Sequence, residues 1–118
     1  MSGNITYLSF YFGSNTIHVF QSAVKSIGNP DFIRFRISGD KRQMVMEPYD
    51  KKELTSFRVP KKKELNKMQV RGKRFCAMVI AEMGWDASVS YRIPGKVYEQ
   101  QSIVLFDLEN AVMIPPRG

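Results

Sequence analysis

The chain has 118 residues, of which 43% are hydrophobic and 25% are charged, and its formal net charge is +7. A chain of this length can bury one core but is too short for two independent domains of ordinary size, so we predict a single domain over 1–118. One cysteine excludes a disulfide framework within the chain, and no apolar run approaches the length of a bilayer span. These features favour a soluble cytoplasmic protein.

The first predicted element is a half-buried strand over residues 5–12, where apolar and polar positions alternate. A first helix is predicted to follow, because Ser14, Asn15 and Thr16 are good N-cap residues. The helical spacing is carried by Ile17, Phe20, Val24 and Ile27. Gly28 then stands where a left-handed residue would end the helix.

A short pattern recurs at an offset of 56 residues. Gly28 is followed seven residues later by Phe35-Arg36-Ile37-x-Gly39, and Gly84 by Tyr91-Arg92-Ile93-x-Gly95. The pattern predicts, in each copy, a helix stop, a strand with arginine facing outward, and a glycine in a hairpin turn. The second helix is predicted from near Lys73 to Met83. Either an internal duplication, with repeats of about 5–60 and 61–115, or coincidence explains the match, and we favour duplication.

The predicted fold is therefore α+β. Two tandem β-α-β-β-β-like repeats form a mainly antiparallel sheet with two helices on one face, in a pseudo-two-fold, saddle-like outline. This order resembles, at the level of architecture, the duplicated saddle folds of the TATA-binding-protein type or half of a sliding clamp. Such a likeness carries no function.

Charge is concentrated in the segment 58–74, which joins the two repeats and which we call the basic connector. It holds eight basic residues and one acidic residue, Glu64, whereas ten basic and ten acidic residues lie elsewhere. A neutral body with one cationic segment is typical of a protein that docks on a polyanion. The basic residues predicted to contact nucleic-acid phosphates are Lys61, Lys62, Lys63, Lys67, Arg71, Lys73 and Arg74, with Arg34, Arg36 and Arg92 extending the patch.

Two further sequence features bear on function. Tyr7 and Tyr11 are the candidates for base stacking on the polar face of the sheet. A solvated linker explains the basic connector about equally well, because no base-reading motif is present.

The sequence offers little for catalysis. His18 and Cys76 are the only histidine and cysteine, and both fit predicted helical segments, Cys76 at a core position. Neither has the carboxylate spacing of a triad, and the ligand set is poor for a metal. We therefore predict no enzyme, no cofactor and no metal. The leading hypothesis is a non-enzymatic protein that binds DNA or RNA through phosphates, and the alternative is a protein-interaction module, either a homodimer or an adaptor for an acidic protein.

Overall fold

The computed structural model describes residues 5–60 and 67–114. Nine strands and two α-helices lie in these ranges, in the order β1 (Ile5–Tyr11), β2 (Thr16–Phe20), α1 (Gln21–Ser26), β3 (Phe32–Ile37), β4 (Gln43–Tyr49), β5 (Ser56–Arg58), β6 (Lys67–Arg71), α2 (Lys73–Met83), β7 (Ser90–Tyr98), β8 (Ile103–Asp107) and β9 (Val112–Ile114). Two short 3-10 turns, Glu99–Gln101 and Leu108–Asn110, lie on either side of β8.

The strands form one sheet in which each observed pair is antiparallel. Its order is β5-β3-β4-β8-β7-β1-β2-β6, and β9 pairs with the first part of β7. The edge strands β5 and β6 approach each other, since a Cβ built on Gly72, just after β6, would lie 2.7 Å from the Phe57 ring in β5. The fold is therefore small and β-rich, with a nearly closed antiparallel sheet and two helices.

The inner faces of the strands and both helices share one core. Val24 of α1 and Phe75 and Val79 of α2 are fully buried in it. The Phe75 ring lies 5.4 Å from the Phe35 ring of β3, between ring centroids, and 5.6 Å from the Phe57 ring of β5. Each such side chain stabilises the fold by about 1.5–3 kcal/mol through burial, so α2 is held by the sheet that curves around it.

Several elements match their sequence patterns. The side chains of β1 alternate as predicted, with Leu8 and Phe10 fully buried. Gly28 and Gly84 both end helices with positive φ, +98° and +66°. At the end of α1 the amide of Asn29 donates to the carbonyl of Val24, the bond of a Schellman motif. The predicted helix stops are therefore confirmed.

The predicted first helix is wrong over its first half. Residues 16–20 form β2, which pairs with β1 on one side and β6 on the other, and the helix begins only at Gln21. Ile17 and Val19 face the core, as the two-residue period of a strand requires. The run contains β-branched residues, and two sheet neighbours satisfy its backbone, which together outweigh the apparent helical spacing.

The prediction for the two hairpin glycines is also corrected. Gly95 lies inside β7, between Thr6 of β1 and Phe106 of β8, and the β7–β8 connection comes at residues 99–102. A Cβ at Gly95 would lie 2.5 Å from Cδ1 of Phe106, so glycine is required there for close packing. Gly39 does lie in the β3–β4 turn, but the residue with positive φ is Lys41, at 61°.

Candidate nucleic-acid interface

An open groove of about 350 Å³ crosses the outer face of the sheet, the face turned away from the core. Strands β9, β7, β1, β2 and β6 contribute to it. Six of its residues are aromatic or basic, namely Tyr7, Tyr11, His18, Phe20, Lys67 and Arg92. We call this surface the aromatic groove. None of the described residues that line it is acidic.

Strand period and register bring these residues together. Tyr7 and Tyr11 lie on β1 between buried neighbours, so they project to the opposite face from the core. Across the strands, Arg92 lies opposite Ser9, Ser9 opposite His18, and His18 opposite Gln69. One polar row thus runs from β7 to β6 through two strands that carry the aromatic side chains.

Cations lie against aromatic rings at both sides of the aromatic groove. The guanidinium carbon of Arg92 is 5.1 Å from the centroid of the Tyr7 ring, and Nζ of Lys67 is 5.9 Å from the centroid of the Phe20 ring. Both distances fall within the range of a cation–π contact. On the strands between these two cations, the ring centroids of Tyr11 and His18 are 4.8 Å apart. The surface is therefore an aromatic band with a positive charge at each flank.

The surroundings of His18 favour its neutral form. Burial lowers its pKa, the positive charge of Lys67 lowers it further, and a side-chain hydrogen bond with Gln69 acts in the opposite direction. Its Nδ1 is buried and has no hydrogen-bond partner among the described residues. Protonation would therefore add a poorly solvated charge to the aromatic groove, beside an existing cation.

Of the described residues of the basic connector, Lys67 alone lines the aromatic groove. Lys67 and Arg71 lie on the outer face of β6, and Lys73 and Arg74 lie in the first turn of α2. Arg71, Lys73 and Arg74 are exposed and form no ion pair with a carboxylate of residues 5–60 or 67–114. The predicted contacts Lys61, Lys62 and Lys63 lie outside the described residues.

Arg34 and Arg36 are placed elsewhere. They lie on β3, and β4 and β8 separate that strand from Arg92 on β7. Both guanidinium groups bind the carboxylate of Glu47 on β4, Arg36 through Nε at 2.8 Å. Burial acts to raise the Glu47 pKa, but the hydrogen bonds from Arg36 and Arg34 outweigh it and the pKa is lowered. One carboxylate thus balances half of the formal charge of these two arginines.

Arg34 has a second partner on β4, the strand that carries Glu47. Its guanidinium lies 4.3 Å from the ring centroid of Tyr49. The hydrogen bond to Glu47 raises the Arg34 pKa. This ion pair and ring contact hold Arg34 against the sheet, which leaves it less available to a phosphate than Arg71, Lys73 or Arg74.

Sequence reasoning found part of the aromatic groove. Tyr7, Tyr11 and Arg92 were predicted to lie on one polar face, and the structure brings them together. The sequence pattern does not identify Phe20 and His18, because it places both in a helix. The alternation of Thr16 to Phe20, with β-branched residues at three of the first four positions, was the signal for a strand.

Two features decide whether the described residues could form a reactive site: clusters of metal ligands and the thiol of Cys76. In the described ranges, no group of three or more His, Cys, Asp or Glu residues could hold a metal ion. Cys76 is fully buried, as predicted, and burial raises the pKa of its thiol to about 11. A thiol with that pKa is a weak nucleophile at neutral pH.

Within the described ranges, neither helix combines the length and apolar composition that a bilayer crossing requires. No protein-family model, curated protein or solved structure matches this chain.

Proposed function

We propose that the protein is a non-enzymatic, cytoplasmic nucleic-acid-binding or accessory protein that contacts phosphates through its basic connector. One observation carries the proposal: Arg71, Lys73 and Arg74 are exposed and unpaired with described carboxylates, close in sequence to the Lys61–Lys63 cluster. Cations that are not neutralised by their own protein are available to a polyanion.

The position of Lys73 and Arg74 supports a role outside folding. The N-terminus of a helix carries partial positive charge, and a cation there is unfavourable by about 0.3–1 kcal/mol. Helix α2 has two such residues in its first turn, no acidic residue there, and the N-cap Gly72, which has no side chain to accept a hydrogen bond. A binding role accounts for a local choice that helix stability disfavours.

Phosphate contact has a measurable signature. Each phosphate neutralised releases counterions, so the binding constant falls with salt by a log–log slope of about 0.7–0.9 per contact. Binding through the connector is therefore steep in salt and weakly dependent on base sequence.

Charge reversal in the connector tests the proposal. The variant with Lys61, Lys62 and Lys63 all changed to glutamate is compared with one in which Lys41, Lys51 and Lys52 are changed, three exposed lysines outside 58–74. Both variants lose the same net charge. In fluorescence anisotropy with labelled DNA or RNA at low salt, we expect about tenfold weaker binding in the first variant, as for a loss of two or more phosphate contacts, and near-parental binding in the second. Equal binding in both would remove the connector from the mechanism.

We also propose that the chain arose by duplication, with a repeat unit of order ββαββ. The two copies are then β1-β2-α1-β3-β4 and β5-β6-α2-β7-β8, and β9 is an addition. The pairings β1–β7 and β3–β5 are equivalent under this assignment, as are β3–β4 and β7–β8, while β2–β6 and β4–β8 lie on the pseudo-two-fold axis. Only the counterpart of β1–β2, a β5–β6 pair, is lacking among the described strands.

This unit differs from the β-α-β-β-β order expected from the sequence. That order would make β9 the counterpart of β5. However, β1 occupies one side of β7 along Ser90–Arg92, so β9 lies on the same side of β7 as β8, whereas β4 and β5 lie on opposite sides of β3. The ββαββ unit avoids this conflict.

A protein-interaction module is the second candidate, favoured by exposed apolar residues on β9. Val112 and Met113 are 56% and 62% exposed, are consecutive residues of β9 and contribute to the lining of the aromatic groove. Adjacent exposed apolar side chains are typical of an interface between proteins. Light scattering across a range of concentrations tests a homodimer, and replacing Met113 with lysine should abolish any dimer that forms there.

A further inference from the structure

We infer that the aromatic groove holds unstacked bases of single-stranded nucleic acid, so that the protein binds single strands in preference to duplexes. This inference rests on the proposed function: the basic connector supplies affinity for phosphates, and the aromatic groove supplies the choice of strand form.

The aromatic rings provide the first part of the argument. Tyr7 and Phe20 lie at different positions along the groove, and Tyr7 is 40% exposed although it stands on a strand in mid-sheet. Rings that face solvent from a sheet are the platform on which single-strand binders stack bases. Because every base has a π face, this mode of binding tolerates many sequences.

The charges provide the second part. Arg92 on β7 and Lys67 on β6 are separated by β1 and β2, which is three strand spacings or roughly 14 Å. The rings lie on the strands between them. A strand laid over this surface would place its bases on the rings and its phosphates near the two cations. The lack of acidic residues among the described lining residues removes a source of repulsion.

The same geometry disfavours a duplex. Bases in a duplex are stacked on one another and present only their edges, so they cannot lie flat on Tyr7 or Phe20 without being unpaired. A duplex can still bind, because the basic connector can contact its phosphates without any help from the aromatic groove. The predicted difference between the two strand forms is therefore due to the rings.

The lone histidine makes a direct test possible. His18 is the only histidine in the chain and lies in the aromatic groove, so its ring protons give an isolated NMR signal at the site. The ligands are oligothymidylate and oligouridylate of about ten nucleotides, a typical site size for such surfaces, and a DNA duplex of equal length. We expect ring-current shifts of the His18 protons with the single strands and smaller shifts with the duplex. Comparing the two single strands shows whether DNA or RNA is preferred.

Matched variants assign the effect to the rings. Changing Tyr7 and Phe20 to leucine removes two rings that lie beside cations in the aromatic groove. The control changes Tyr49 and Phe32, which also lie beside cations, but on the β3–β4–β5 part of the sheet. From base–aromatic stacking energies, we expect the groove variant to lose at least about tenfold in single-strand affinity, with duplex affinity unchanged and the control near parental.

The outcomes separate this inference from the proposed function. Equal affinity for single strands and duplex, with no His18 shift in the parental protein, would overturn the inference and leave phosphate binding intact. Equal losses in the groove variant and the control would also overturn it. If none of the three ligands binds at low salt, the proposed function itself fails. The NMR arm uses the unaltered chain, so a folding defect in a variant does not prevent a decision.

Discussion

Reversing the charges of Lys73 and Arg74 should stabilise the fold while it weakens nucleic-acid binding. Both side chains are exposed in the first turn of α2, which has no acidic residue there and no side-chain cap. Glutamate exchanges an unfavourable interaction with the helix dipole for a favourable one. At exposed positions the low end of the dipole effect applies, so the double variant should gain about 1 kcal/mol in unfolding free energy. For a domain of this size, that raises Tm by roughly 4 °C.

The binding effect follows from the same two charges. Loss of two phosphate contacts should make the log–log salt slope shallower by about 1.4 on a single strand. Stability is measured by urea unfolding, with the lone Trp85 as fluorophore, and binding by anisotropy in a salt series. Glutamine at both positions is the matched neutral control and should give about half of the stability gain. A double glutamate variant that is less stable than the parent, or that binds with an unchanged slope, would refute the reasoning.

Three further predictions concern packing and titration. Changing Gly95 to alanine should cost about 1–3 kcal/mol of unfolding free energy, because the new Cβ meets the Phe106 ring, whereas alanine at Gly39, where a Cβ meets open space, should be nearly neutral; urea unfolding of both variants decides. Burial lowers the pKa of His18 below its ordinary value of 6.5, so the free energy of unfolding should be highest above that pH and should fall as the pH drops from 6.5 through the lowered pKa. Changing His18 to glutamine should make the free energy of unfolding less dependent on pH between about pH 5 and pH 8. The buried Cys76 thiol should react with a disulfide reagent far more slowly in the native protein than in denaturant, and rapid native labelling would contradict its placement.

The elements that sequence reasoning predicted correctly are those with strong local signals. Strand β1 alternates over seven residues, and α2 has a continuous apolar face that ends at Gly84. These patterns depend on the residues of one segment alone, so they can be recognised without knowledge of the neighbours.

Where the prediction failed, the answer depended on distant parts of the chain. The segment Thr16–Phe20 has a spacing compatible with a helix, but β6, about fifty residues further on, pairs with it as a strand. Glycine is common in turns, so Gly95 was predicted to lie in one, yet its role is to make room for Phe106 on the adjacent strand. Neither partner can be identified from the local sequence.

The candidate site shows the same division. The outward direction of Tyr7, Tyr11 and Arg92 follows from strand period alone. That they share a groove with Phe20 and Lys67 follows from the registers of β1 with β2, β1 with β7 and β2 with β6. The last two registers join segments that are distant in the sequence, and no local pattern specifies them. The Arg36–Glu47 ion pair is likewise a cross-strand contact that the local sequence does not reveal. The prediction from the sequence therefore overestimated the positive charge of β3 that is available to a phosphate.

The salt dependence of nucleic-acid binding by the unaltered protein tests the central claim most directly. If at least three of the exposed cations contact phosphates, the binding constant for a single-stranded oligonucleotide should fall with a log–log slope of about −2 or steeper. A slope near zero, or no detectable binding at low salt, would contradict the account.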